Sequence, residues 1–312
     1  MKSQCNKAQH GAALIMIVFM IALVFIAYAI TKVRGVEYKV LSDEKTATAM
    51  LEAKQAILGW SVVQNTPGQL PCPEDTTLIG FSTEGQAKSS CTLPAIGRLP
   101  WKTLGIGDLR DGNNDRLWYV ISSGFRTSPI NTNTPASLTV DGVNNAAVAI
   151  IFSPGNLLSN QNRPEPTKDS PPVVSQYLDL TNNDGDSTFI TIGDSSQFND
   201  RLLTISQSEL FTLVSKRILR EVRGDSAQGL VKYYADNGLY PFADTNNDGV
   251  IDLLQFNGTP TYNGPPLNLF FAPTIKSTLI NNNWFQLISY KLALNTQSVT
   301  LTLNGQTIVV TP

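Results

Sequence analysis

The sequence predicts an α+β protein: a long N-terminal helix, membrane-spanning in its first part and amphipathic in its second, then a β-rich head of one lobe or two in tandem. Three observations carry this. Ala12 to Ile30 is an uncharged apolar run of 19 residues, about 28 Å long as a helix and close to the thickness of a bilayer core. Val33, Val36, Val40, Ala47, Met50, Leu51, Ile57 and Leu58 then recur at the three- and four-residue steps of one helix face. Beyond residue 60, Asn, Thr, Ser, Gly and Pro are abundant and Lys and Glu sparse, a balance that suits strands joined by hydrogen-bonding turns.

The elements follow in order. Residues 1–11 form a short basic leader carrying Lys2 and Lys7, and residues 12–64 the helix, apolar over 12–30 and amphipathic over 31–64. It should end before Asn65-Thr66-Pro67-Gly68, where proline and glycine stop helices. Residues 118–122 (WYVIS) and 146–152 (AAVAIIF) have strand composition. The polar, Pro-rich stretch 160–172 reads as a connection, placing a first lobe at 65–172 and a second at 173–312. Ser206-Gln207-Ser208-Glu209 is a capping box that should open a helix carrying Leu210, Leu213, Val214, Ile218 and Val222. SVTLTL, Asn304-Gly305 and QTIVV predict a closing hairpin. Residues 56–75 resemble 227–244, and 113–122 resemble 281–289; a tandem repeat and a chance likeness of two α+β lobes both fit.

Composition limits function. A net charge of −2 with 15% charged residues advertises no nucleic-acid partner. The single histidine, His10, precedes the apolar run, so a chain processed after it has no imidazole for a base, triad or metal. No paired-acid, phosphate-loop or nucleophile-elbow signal is present, and no enzyme is expected. Of the three cysteines, Cys5 sits in the leader, which leaves Cys72 and Cys91. In an oxidising compartment they read as a loop-closing disulfide contributing about 3 kcal/mol; two unrelated buried thiols are the alternative. Trp60, Trp101, Trp118 and Trp284 are scattered beside apolar neighbours and read as packing residues.

The start of the chain admits two interpretations from its residues: a membrane anchor, or a secretory signal cut near Ala27-Tyr28-Ala29. A basic leader ending in Gly11, a small Ala12, an unbroken apolar run and a following amphipathic helix together resemble the class III signal of type IV pilins and type II secretion pseudopilins. The resemblance covers about the first 60 residues. It implies cleavage between Gly11 and Ala12 by a prepilin peptidase, N-methylation of Ala12, a pilin-like head, and other pilin or pseudopilin subunits and membrane lipid as partners. The implied location is the inner membrane, single-pass with the head in the periplasm, or an extracellular filament. Met16 stands where the family usually has Glu, which resembles minor or tip-located subunits. A membrane-anchored or secreted binding or adhesive module is the alternative function.

One stretch has ligand chemistry. Asp244, Asn246, Asp248 and Asp252 place oxygen side chains at alternate positions, with Gly249 where a calcium loop turns and the Val250 carbonyl as a further ligand. Gln255 stands where an EF-hand has its bidentate Glu. Such a loop holds calcium weakly or is a plain Asx turn; calcium-stabilised loops in pseudopilin heads favour the ion by resemblance. The stretches 111–115 and 182–186 are weaker versions and read as turns.

Overall fold

The computed structural model describes residues 10–193, 196–263 and 271–312; at 10–14 and 29–36 only the backbone is described. The leader, 1–9, lies outside them, as do the side chains of Gly11, Ala12, Val33 and Val36. Helix α1 runs His10–Val63 and stops ahead of Pro67-Gly68, as the sequence predicts. Ala49, Met50, Ala53, Ile57 and Leu58 are buried. Val40, Ala47 and Leu51 are exposed, so the packed stripe lies to one side of the predicted one.

The membrane span and the single-pass inner-membrane location are corrected. Among the described residues no helix is long and apolar enough to cross a membrane.

Four strands, β1 (Ala95–Arg98), β2 (Trp118–Ile121), β5 (Ala149–Ser153) and β7 (Arg201–Ile205), form an antiparallel sheet in that order. Strands β3 (Leu138–Val140), β4 (Val143–Ala147) and β6 (Thr188–Phe189) form a smaller one, β3 and β6 running parallel. Because side chains alternate across a strand, Tyr119, Ile121 and Ile151 enter the main core with α1, while Trp118, Val120, Ile150 and Phe152 pack with Leu138, Phe189 and Tyr177 on the other face. Strand β7 lies beyond the expected lobe boundary at 172 yet completes the first sheet. The connection before that boundary is pinned: Arg163 donates to the carbonyls of Gly155 and Gln176 at 2.9 and 3.1 Å and ion-pairs with Asp115.

Helix α2 (Gln207–Arg223) begins at the predicted cap, with Ser206 Oγ accepting from Glu209 N–H and the Glu209 carboxylate accepting from Ser206 N–H. Leu210, Val214, Ile218 and Val222 are buried along one face. Helices α3 (Gly229–Asn237), α4 (Pro273–Asn281) and α5 (Trp284–Leu287) follow. Strands β8 (Asn257–Gly258), β9 (Ser289–Leu292), β10 (Val299–Leu303) and β11 (Gln306–Val310) make a second antiparallel meander, closed by the predicted hairpin with Asn304 and Gly305 both at positive φ. One core cluster runs from Ala49 to Val310 and joins both sheets. Asn282 also links them: its Oδ1 accepts from Ile130 N–H at 2.8 Å and its carbonyl from the Asn131 amide at 2.8 Å.

The two four-stranded sheets share an arrangement of helix on sheet and differ in local detail. Each four-stranded sheet carries a helix on its last two strands, α1 on β5 and β7, α2 on β10 and β11. Trp118, however, lies in β2, whereas its counterpart Trp284 starts the single turn of α5 after a left-handed Asn283. The fold class is therefore α+β, two four-stranded sheets around a shared core with a third, smaller sheet on a second apolar cluster, in place of a membrane-spanning helix bearing a pilin-like head.

Candidate functional site

Residues 15–27 of α1 form a continuous exposed apolar stretch. Ile15, Met16, Ile17, Val18, Phe19, Met20 and Ile21 are consecutive and each more than half exposed. Consecutive residues point around the whole helix, so every face here is apolar and uncovered. Such a surface far exceeds the scattered apolar exposure normal for a monomer. Gly11 and Ala12, the expected processing pair, lie at the start of α1 with side chains outside the described residues.

Cys72 and Cys91 are joined, Cα to Cα 5.9 Å. The loop they close brackets the turn from Asp75 to Gln86, held by Asp75 N–H donating to the Gln86 carbonyl at 2.7 Å.

The Asp244 loop bonds to itself. Asp244 is fully buried; its Oδ1 accepts from the N–H of Asn246 (3.1 Å) and Asn247 (2.7 Å), and its Oδ2 from Gly249 N–H (2.6 Å). Asn246 Oδ1 accepts from Asp248 N–H, and Asp248 Oδ1 from Val250 N–H. Asp252 Oδ2 accepts from the N–H and hydroxyl of Thr245, which holds its carboxyl below the usual range. Gly249 sits at φ +83°, a backbone that glycine adopts without strain. Oxygens at alternate positions thus accept from the loop's own amides, and among the described residues no group of three or more His, Cys, Asp or Glu is placed to hold a metal ion. The 111–115 turn behaves likewise: Asp111 accepts from Asn113 and Asp115 N–H. It also docks on α1, Gly112 N–H donating to Thr46 Oγ1 at 2.9 Å where a Cβ would strike Ser42.

Two charged clusters are visible only in the fold. In the first, Arg116 pairs with Glu74, Glu84 and Asp108 at 3.4, 2.6 and 3.0 Å, and Arg110 with Asp108. Burial pushes the Glu74 carboxyl up to about 6 against the pull of Arg116 and Arg98. Beside it Arg98 is 6% exposed, donates to Tyr177 Oη at 3.3 Å and stands over that ring. In the second, Asp179 and Asp200 are buried together; Asp200 Oδ2 accepts from Asp179 N–H and Asn182 Nδ2, each at 2.9 Å. Burial raises Asp200 to about 8, with the neighbouring Asp179 charge adding to the rise. The sequence places two carboxylates in no common cleft; the chain folds 21 residues back to bring these together.

The chain matches no protein-family model, no curated protein and no solved structure.

Proposed function

We infer that the protein is a non-catalytic assembly subunit, a minor pilin or pseudopilin of a type IV pilus or type II secretion filament, whose exposed apolar helix packs against helices of neighbouring subunits. The observation that carries this is the all-round apolar exposure of residues 15–27. A helix without a polar stripe is stable in water only when other apolar surface encloses it, and a bundle of like helices supplies that on every face at once. The head, anchored to the same helix through Ala49, Ala53 and Ile57, is then displayed at a fixed distance from the bundle. Met16 in place of the family's Glu fits a subunit with no preceding amino terminus to pair with.

Mass analysis of the mature amino terminus tests the reading. A start at a methylated Ala12 is expected; a start near Ile30 removes the packing helix and ends the proposal. Phe25→Asp should abolish incorporation into sedimentable filaments while leaving the melting temperature of the head unchanged.

A further inference from the structure

A cavity of about 750 Å³ lies beside β1, between the disulfide loop (Cys91, Thr92) and the Pro171–Val174 segment, within the size range of small-ligand sites. Its walls are apolar where Trp118, Pro171 and Pro172 line it, and one wall is tethered by the disulfide, so little ordering is needed on binding. We propose that this cavity binds a carboxylate-bearing ligand, with Arg98 as the pairing cation and Pro171 and Pro172 against the ligand's apolar body. This is independent of the assembly role of α1.

The argument rests on an imbalance. Of the four arginines in this region, Arg110, Arg116 and Arg163 each have a carboxylate within ion-pair distance. Arg98, the most buried residue among them, has none among the described residues, and its Nε lacks any hydrogen-bond partner. Among the described residues its guanidinium donates one hydrogen bond, to the neutral Tyr177 hydroxyl. A buried guanidinium with no carboxylate at ion-pair distance, its influence on Glu74 acting from beyond that distance, is costly, and Arg98 lines the cavity. Trp118 Nε1 is a second buried donor without a partner in the same wall.

The donor set selects the ligand's chemistry. A single planar guanidinium matches a carboxylate's two oxygens. A dianionic phosphate calls for a second free buried cation, and Arg116 is already shared by three acids. Lys88, exposed at the rim, favours approach of an anion. Glu74 also lines the cavity, with Oε2 unpartnered; burial raises its carboxyl to about 6, so below that pH it is neutral and donates to the same ligand, and the acids should bind more tightly at about pH 5 than at about pH 7.

Calorimetric titration of the full chain with phenylacetate, with the neutral isostere phenylacetamide and with the blocked tripeptide acetyl-Ala-Glu-Ala-amide tests this. The acid should bind at least about tenfold more tightly than the amide, the value of one charge-assisted hydrogen-bonded pair. Arg98→Gln should erase that difference. Lys88→Glu, at an exposed position that leaves the fold intact, should weaken both acids several-fold and keeps the test valid if Arg98→Gln fails to fold. The tighter of the two acids tells whether a free acid or an acidic peptide side chain is the source. Equal affinity for acid and amide, or no heat with either acid at about 10 mM, overturns the proposal.

Discussion

The two four-stranded sheets share a plan and differ in what surrounds them. In the first, β2 and β5 are buried on both faces, because the loops between β2 and β7 fold back as the β3–β4–β6 sheet over Trp118 and Phe152. In the second, β9 and β10 alternate buried and less buried residues, one face on α2 and the other in solvent. Closing both faces brings polar chain into the interior, and there lie the disulfide, the arginine–carboxylate cluster and the Asp179–Asp200 pair. The second sheet is held chiefly by aromatic packing: Trp284 meets Phe211, and Tyr262 stacks on Phe285 at 4.2 Å. One plan thus yields a module stabilised by charge and covalent closure and another stabilised by apolar volume.

The largest expected effect breaks the second module. Trp284 is fully buried, and Trp284→Ala should cost about 3–5 kcal/mol through lost burial and the cavity left behind. Chemical denaturation of the full chain measures it; a loss under about 1 kcal/mol would mean that the apolar contacts carry little.

An intermediate effect separates the modules by pH. Asp200 is raised from its ordinary 3.8 to about 8 chiefly by burial, so the native state holds this proton more tightly than the unfolded chain. The stability this contributes is fully present below about pH 4 and is lost as pH rises through 8. The melting advantage of the wild type over Asp200→Asn should therefore shrink steadily across that window. A difference constant with pH would remove the buried carboxyl as its cause.

The smallest effect concerns the Asp244 loop. Its oxygens are already engaged by loop amides, so the melting temperature should differ by no more than about a degree between chelator and millimolar calcium. A rise of several degrees that Asp248→Ala abolishes would place a calcium ion in this loop.

What could be read in advance was local. The Ser206 capping box, the Asn304-Gly305 hairpin and the end of α1 before Pro67 are decided by residues within four positions of one another, and each stands as the sequence predicts. Cys72 and Cys91 were legible by elimination. The stretch around Trp284 misled because its letters match those around Trp118, while the αL backbone at Asn283 turns it into a helical start. The Arg98 cavity had no signal at all: β1, the loop at 73–76, Trp118 and the 171–174 segment meet only once β2 has paired with β1. The apolar run was conspicuous in the sequence, yet hydropathy alone does not say what encloses it.

The Asn282 link has a consequence for synthesis. Ile130 N–H is buried with Asn282 Oδ1 as its acceptor, 152 residues downstream. At about 5–20 residues per second, a ribosome needs roughly 8–30 s to deliver that partner. Until then the first-made half must hold an unfinished seam open to water, and its completion is timed by the last tenth of the chain.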